Sequence, residues 1–173
     1  VPFRGQRRLT VTPVIVMGVS GCGKSTLAEA LAQAKGWAFI EGDELHPPAN
    51  IEKMSHGIAL TDEDRWPFLA NVAHAARDNQ QQGVILSCSA LKRRYRDALR
   101  ADAGPLFFVC LTVDRAELMR RMTARPHFMP VSLLESQLAD FEPLDADETG
   151  IILDGALSIE ALSHAALNAL ATP

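Results

Sequence analysis

Eight residues, Gly18-Val19-Ser20-Gly21-Cys22-Gly23-Lys24-Ser25, constrain the fold of this chain more than any other feature. They match the spacing G-x-x-x-x-G-K-[ST] in full. Glycines at these positions let successive backbone N–H groups turn inward and form a nest for an anion. A helix that follows aims its positive end at the same point. Such a loop works only between a strand and a helix, and both flanks fit. Thr12 to Met17 is short, apolar and rich in β-branched residues. Lys24 to Ala34 places Leu27, Ala28 and Leu31 on one helical face, with Gly36 as the stop. The chemistry implied is the binding of a nucleoside triphosphate with Mg²⁺. Lys24 reaches the β- and γ-phosphate oxygens, and the Ser25 hydroxyl takes Mg²⁺. Cofactor contacts are expected from Gly18, Ser20, Gly21, Cys22, Gly23, Lys24, Ser25 and Thr26. Cys22 suits the loop as a small residue; its place near a helix N-terminus would also lower a thiol pKa.

The rest of the chain alternates strand-like and helix-like segments, the pattern of an α/β fold with a parallel sheet. Strands are expected at Trp37–Ile40, Val84–Ser87, Leu106–Leu111 and Gly150–Leu153. Helices are expected from Arg65 to Gln82 behind a Thr61 or Asp62 cap, from Leu91 to Arg100, and from Asp114 through Arg120, Arg121 and Arg125. Two more are expected over Ser132–Phe141 and from Ser158 onward. Pro47-Pro48 reads as a break. No linker divides the 173 residues, so one domain over 12–173 is expected behind a disordered leader of residues 1–11. The formal charge of −4, from 17 basic and 21 acidic residues, argues against nucleic acid as a partner, because counterion release needs a basic footprint. No apolar run has the length of a membrane span. Three scattered cysteines, Cys22, Cys88 and Cys110, read as reduced thiols of a cytoplasmic protein. The histidines lack metal-ligand spacing.

Four further segments carry candidate chemistry. Glu41-Gly42-Asp43-Glu44-Leu45-His46 falls at the carboxyl end of the second strand, the edge where open α/β sheets bind ligands. A carboxylate there orients an acceptor hydroxyl at the γ-phosphorus, and Asp43 is the candidate. His46 suits ligand contact or loop packing equally. In the charge-dense stretch holding Lys53 and Thr61–Trp66, Arg65 is suited to grip a carboxylate in bidentate fashion. Most other charges there, and those of Arg94, Arg96 and Arg100, read as a solvated face or a subunit contact. Cys88-Ser89-Ala90-Leu91-Lys92 follows the third strand, where small residues admit a substrate to the backbone and Lys92 is the nearest cation. No Walker B carboxylate ends that strand; Ser87-Cys88 stand instead. Arg121 and Arg125, four apart, share a helix face beside a proline-bracketed loop, the setting of a lid over phosphates.

Taken together these segments resemble the small P-loop gluconokinases over almost the whole stretch from Val14 to Asp147. The resemblance rests on the P-loop through Thr26 and on Gly42-Asp43-Glu44-Leu45-His46-Pro47. It also rests on Asn50-Ile51-Glu52-Lys53-Met54, Leu60-Thr61-Asp62-Glu63-Asp64-Arg65 and Cys88-Ser89-Ala90-Leu91-Lys92. His127-Phe128-Met129 and Ser136-Gln137 complete it. It implies a nucleoside-monophosphate-kinase-like three-layer α/β/α fold with a five-stranded parallel sheet and a helical lid over about 121–137. It implies ATP and Mg²⁺, D-gluconate as acceptor, 6-phosphogluconate as product, and a homodimer. By the same resemblance Asp43 faces the acceptor hydroxyl, with His46, Lys53, Arg65, Ser89, Lys92 and His127 around gluconate. Arg121 flanks the adenine and Arg125 meets the phosphates. Shorter than the family pattern, Arg125-Pro126-His127 lacks the glycine usual before His-Phe-Met. The residues themselves leave open a kinase of another small carboxylate, such as shikimate, or a nucleotide-gated binding protein.

Overall fold

The computed structural model describes residues 9–124 and 130–172. Five strands, β1 (Val14–Met17), β2 (Ala38–Glu41), β3 (Val84–Ser87), β4 (Phe107–Thr112) and β5 (Gly150–Asp154), form one parallel sheet in the order β2-β3-β1-β4-β5. Val14 pairs with Ile85 on one side and Phe107 on the other, which sets β1 at the centre. Every residue of β1 and β3 is buried. Strands buried on both faces read as continuous apolar runs rather than alternating ones, and Val14-Ile15-Val16-Met17 and Val84-Ile85-Leu86 do so.

Among the described residues there are seven α-helices: α1 (Lys24–Lys35), α2 (Pro48–Ser55), α3 (Asp62–Asp78), α4 (Arg93–Ala103), α5 (Arg115–Thr123), α6 (Val131–Asp140) and α7 (Ile159–Ala171). α1 packs on β1, β2 and β3 and against α7, while α3 packs on β3 and against α4. This is the expected three-layer α/β/α arrangement around a five-stranded parallel sheet. Among the described residues no helix is long and apolar enough to cross a membrane. Of the expected leader, Val11 is described, and its N–H donates to the Gln80 carbonyl at 2.8 Å.

Local chemistry explains most helix ends. Gly36 ends α1 in the left-handed conformation at φ 66°, its N–H returning to the carbonyls of Ala32 and Gln33. Thr61 caps α3 in a reciprocal box with Asp64. Asp114 and Ser158 cap α5 and α7, accepting from the N–H groups of Glu117 and Ala161. Three expectations need correction. Pro47-Pro48 does not break the chain but opens α2: Pro48 is its first residue, where a fixed φ and a missing N–H cost nothing. α3 ends at Asp78 rather than running to Gln82. α4 starts at Arg93 and runs on to Ala103, capped by Gly104.

Of the basic face of α4, Arg94 is exposed as expected and pairs with Asp62, but the other arginines are drawn into internal ion pairs. Arg96 is fully buried. Its Nε and Nη2 donate to the two Glu148 oxygens at 2.8 Å each, and its Nη1 and Nη2 donate to carbonyls of Ala90, Glu142 and Pro143. Arg93 pairs with Asp97, Asp145 and Asp147, and Arg100 with Asp97 and Glu148. The acidic loop 143–149 is therefore the counterpart of the basic helix.

Candidate active site

The P-loop has the backbone its glycines foretell. Gly18, Gly21 and Gly23 adopt φ of 147°, 82° and 92°, values that side chains rarely tolerate. A Cβ at position 18 would lie 2.6 Å from the Cys22 sulfur and 2.9 Å from the Leu111 carbonyl oxygen. Cys22 is thus buried packing beneath the loop. Gly23 caps α1 without a side chain, and the first turn holds no acidic residue. This open, positive helix end suits a polyanion. Lys24, the first residue of α1, is 9% exposed, and Ser25 and Thr26 follow it.

Two cavities flank this loop. One, of about 310 Å³, is lined by Ser20 and Lys24 of the P-loop together with Asp43, His46, Arg65 and Ser89. Ala90, Leu91 and Tyr95 line it as well, and Met54, Leu60, Phe68 and Leu133 supply apolar wall. The second, of about 440 Å³, is lined by Gly21, Gly23, Thr26, Glu117, Arg120 and Arg121. Arg121 is held in place there, donating from Nη1 to the Gly21 carbonyl at 3.2 Å and from Nη2 to the Gly155 carbonyl at 2.9 Å. Glu117 accepts from its Nε at 2.9 Å.

Asp43 stands in a 3-10 turn, Gly42–Leu45, directly after β2. The turn cannot slide. A Cβ on Gly42 would lie 1.9 Å from the Ser87 carbonyl oxygen. The Gly42 N–H donates to the Ser87 hydroxyl, which donates to the Glu41 carboxylate at 2.6 Å. Ser87, where a Walker B acid would stand, therefore locks the acceptor turn to β3. Gly42→Ala is expected to lose about 1–3 kcal/mol of stability, the usual cost of overpacking against an unyielding backbone. It should also lower kcat/KM by displacing Asp43. Native Tm and native activity together would show that the turn has slack.

After β3 the chain holds Ala90 at φ 44°, a left-handed non-glycine conformation of the kind found where binding surfaces are over-determined. Arg96 bonds its carbonyl at 3.0 Å. The Ser89 carbonyl accepts from the Gly18 N–H at 3.3 Å, joining this loop to the P-loop. Cys88, next to it, is buried, and desolvation pushes its thiol up to about 12.

Besides Lys24 of the P-loop, Arg65 brings a cation to the first cavity. It donates from Nη1 to the Tyr95 hydroxyl at 2.7 Å, and its Nη2 meets Asp140 at 3.3 Å. The Tyr95 hydroxyl donates in turn to Asp62 at 2.5 Å. Burial, and then this bond, raise the tyrosine to about 12. Lys92 lies 3.5 Å from Asp140 and 4.0 Å from Asp62 and is not among the lining residues. Lys53 is not brought to the cavity either. It bonds Asp64 at 2.8 and 3.0 Å, tying α2 to the start of α3. That bond, with the Thr61 N–H, lowers the Asp64 carboxyl to about 2. Arg121 lies on α5, whose last residue is Thr123. Both Arg125 and His127 lie outside the described residues.

Tyr95, Asp62, Asp140 and Gln137 were not among the expected site residues, Asp62 being expected only as a helix cap. Gln137 sits on α6, and its side-chain oxygen accepts from the Ser20 N–H at 2.7 Å, a contact across 117 positions that periodicity does not reveal. Tyr95 had a signal: it lies three residues after Lys92 and faces the same ligand edge.

A family described as an AAA domain matches residues 14–144. The gluconokinase of Gluconobacter oxydans is 51% identical over 145 residues, which cover 82% of each chain. The crystal structure of a gluconokinase from Sinorhizobium meliloti superposes with a TM-score of 0.85 at 48% identity, covering 92% of this chain and 91% of that one. An unliganded sugar kinase from Janibacter superposes with a TM-score of 0.86 at 45% identity, covering 94% and 99%. With identity of this order over most of both lengths, and a P-loop flanked by two cavities, the chain belongs to the gluconokinase family of P-loop kinases.

Proposed function

We propose that this chain transfers the γ-phosphoryl group of ATP to the 6-hydroxyl of D-gluconate, giving 6-phospho-D-gluconate. The observation that carries this reading is one cavity whose walls include the phosphate loop, a carboxylate and a carboxylate-gripping cation: Ser20 and Lys24, Asp43, and Arg65. The relatives' names supply the acceptor. Gly18, Ser20, Gly21, Cys22, Gly23, Lys24, Ser25 and Thr26 hold the phosphates, and Arg121 borders the nucleoside side. Arg65 holds the gluconate carboxylate, with Lys92 adding positive charge beside the shared Asp140, and His46 and Ser89 meet the hydroxyls. Asp43 orients the 6-hydroxyl and accepts its proton as the oxygen attacks in line with the leaving ADP. Arg125 and His127 complete the site from a lid spanning about 121–137. The working unit is one domain over 12–173.

Among the described residues no group of three His, Cys, Asp or Glu is placed to hold a metal ion. A divalent ion would take its ligands from the Ser25 hydroxyl, the phosphates and water, the arrangement Mg²⁺ favours. Such an ion would neutralise charge on the transferring group. Three free, buried cysteines support a cytoplasmic location, and the family resemblance supports a homodimer, which light scattering would test.

The deciding experiment measures ADP release with Mg²⁺ and a panel of acceptors. Gluconate should give the largest acceptor-dependent rate. Equal or greater stimulation by shikimate, or ATP binding without any acceptor effect, would reject the assignment.

A further inference from the structure

A buried asparagine settles which proton the cavity's histidine carries. Asn50 is 3% exposed, and its Nδ2 lies 2.8 Å from the main-chain carbonyl oxygen of Asp64. A carbonyl oxygen only accepts, so the atom facing it must be the amide nitrogen; the flipped amide would set two acceptors together. The same nitrogen lies 3.2 Å from His46 Nδ1. An amide NH₂ has two hydrogens and no lone pair to offer. One hydrogen goes to Asp64 and the other to His46, so Nδ1 must present its lone pair. A neutral imidazole with a bare Nδ1 carries its hydrogen on Nε2. An imidazolium is disfavoured as well, since its Nδ1–H would point at an N–H.

The ring is fixed in other ways. It stacks on Phe68 with centroids 3.7 Å apart and planes 13° from parallel. With Nδ1 turned to a buried residue, Nε2 is the polar atom it has left for the cavity it lines. We infer that Asn50 is a positioning residue that holds His46 as the Nε2–H tautomer, so that His46 meets the acceptor substrate as a hydrogen-bond donor and leaves proton acceptance to Asp43. This rests on the kinase reading above, and it separates the role of His46 from that of Asp43, both proton-accepting groups that line the cavity, as Glu44 does. The surroundings agree. Burial lowers the histidine below its ordinary value, Asp43 opposes this, and Arg65 on α3 reinforces it.

Two measurements test the assignment. Long-range ¹⁵N–¹H NMR of the unaltered chain, roughly one pH unit above histidine's ordinary 6.5, should show His46 protonated on Nε2 and bare on Nδ1. The signal is identified by its loss in His46→Gln. A proton on Nδ1 overturns the inference. In Asn50→Asp the new carboxylate accepts from Nδ1–H and raises the ring's pKa. Below that value the imidazolium keeps its Nε2–H, and KM for gluconate stays near that of the unaltered chain. Above it the proton leaves Nε2, the ring becomes an acceptor, and KM should rise about tenfold with kcat much less changed. The unaltered chain should show no such rise. A KM in Asn50→Asp that ignores pH also overturns the inference, and the spectrum of the unaltered chain decides even where that variant fails to fold. Absence of gluconate turnover in the unaltered chain would reject the kinase reading while leaving the tautomer to be read from the spectrum.

Discussion

Asp43→Ala is expected to lower kcat at least about 100-fold in an ADP-release assay at saturating gluconate, the lower end of what a positioned proton acceptor contributes. KM for ATP should change little. The carboxylate is well separated from any structural duty. Its turn is closed by contacts that do not use that side chain, the His46 N–H to the Asp43 carbonyl at 3.5 Å and the Gly42 N–H to the Ser87 hydroxyl at 3.2 Å. Removing the Asp43 side chain leaves these in place, so Tm should hold within the error of the measurement. A loss of rate with an intact fold is the signature of a reacting group. Lys24→Ala should cost a similar factor in kcat through lost charge stabilisation at the phosphates, but there KM for ATP should rise too, since the loop holds ground state and transition state alike. Near-normal kcat in Asp43→Ala would reject its role, and the acceptor hydroxyl would then reach the phosphorus with its proton lost to solvent.

What the sequence disclosed and what it hid divide along a physical line. The P-loop, the parallel sheet and the caps at Gly36, Thr61, Asp114 and Ser158 were legible because each depends on residues within a few positions. A left-handed glycine or a side chain bonding an N–H three residues on leaves its mark locally. Pro47-Pro48 misled because proline disrupts a helix interior yet favours its first position, and only the structure shows which applies. Lys53 shows what a motif leaves out. A cation in a motif looks available until its partner is known, and Asp64, eleven residues on, claims it. Ser87 hid in plain view. Nothing in Val84-Ile85-Leu86-Ser87 announces a hydroxyl linking Glu41 to Gly42, because β2 and β3 become neighbours only in the folded sheet. Asn50 is legible as a motif member, but its geometry with Asp64 and His46 exists only once α2 meets α3.

The largest departure from the sequence reading, buried Arg96, also predicts the largest effect on stability. A run of arginines on an amphipathic helix is ordinarily a solvated face. Here the guanidinium and the Glu148 carboxylate are both fully inaccessible, and Arg96 further bonds carbonyls of the loop after β3 and of the acidic loop. Arg96→Met should destabilise the fold by about 3–5 kcal/mol, because it leaves a buried carboxylate without its main partner and several carbonyls without donors. Arg100, 2.8 Å from the same carboxylate, moderates but does not replace it, since the same nitrogen is shared with Asp97. Loss of the Ala90 contact would also free that strained residue, so KM for gluconate should rise even at temperatures where the variant is folded. The pH dependence has a definite sign. Burial alone would raise the Glu148 carboxyl, but hydrogen bonds from Arg96, the Asp145 N–H and Arg100 outweigh it and hold the group at about 2. A depressed carboxylate stabilises the fold above its unfolded value of about 4.5 and loses that contribution as pH falls toward 2. Urea unfolding of the unaltered chain should therefore weaken through that window, and Glu148→Gln should flatten the part of the slope due to this pair. A slope unchanged in Glu148→Gln, or Arg96→Met with native stability, would mean that the pair only fills space and that its burial costs as much as it contributes.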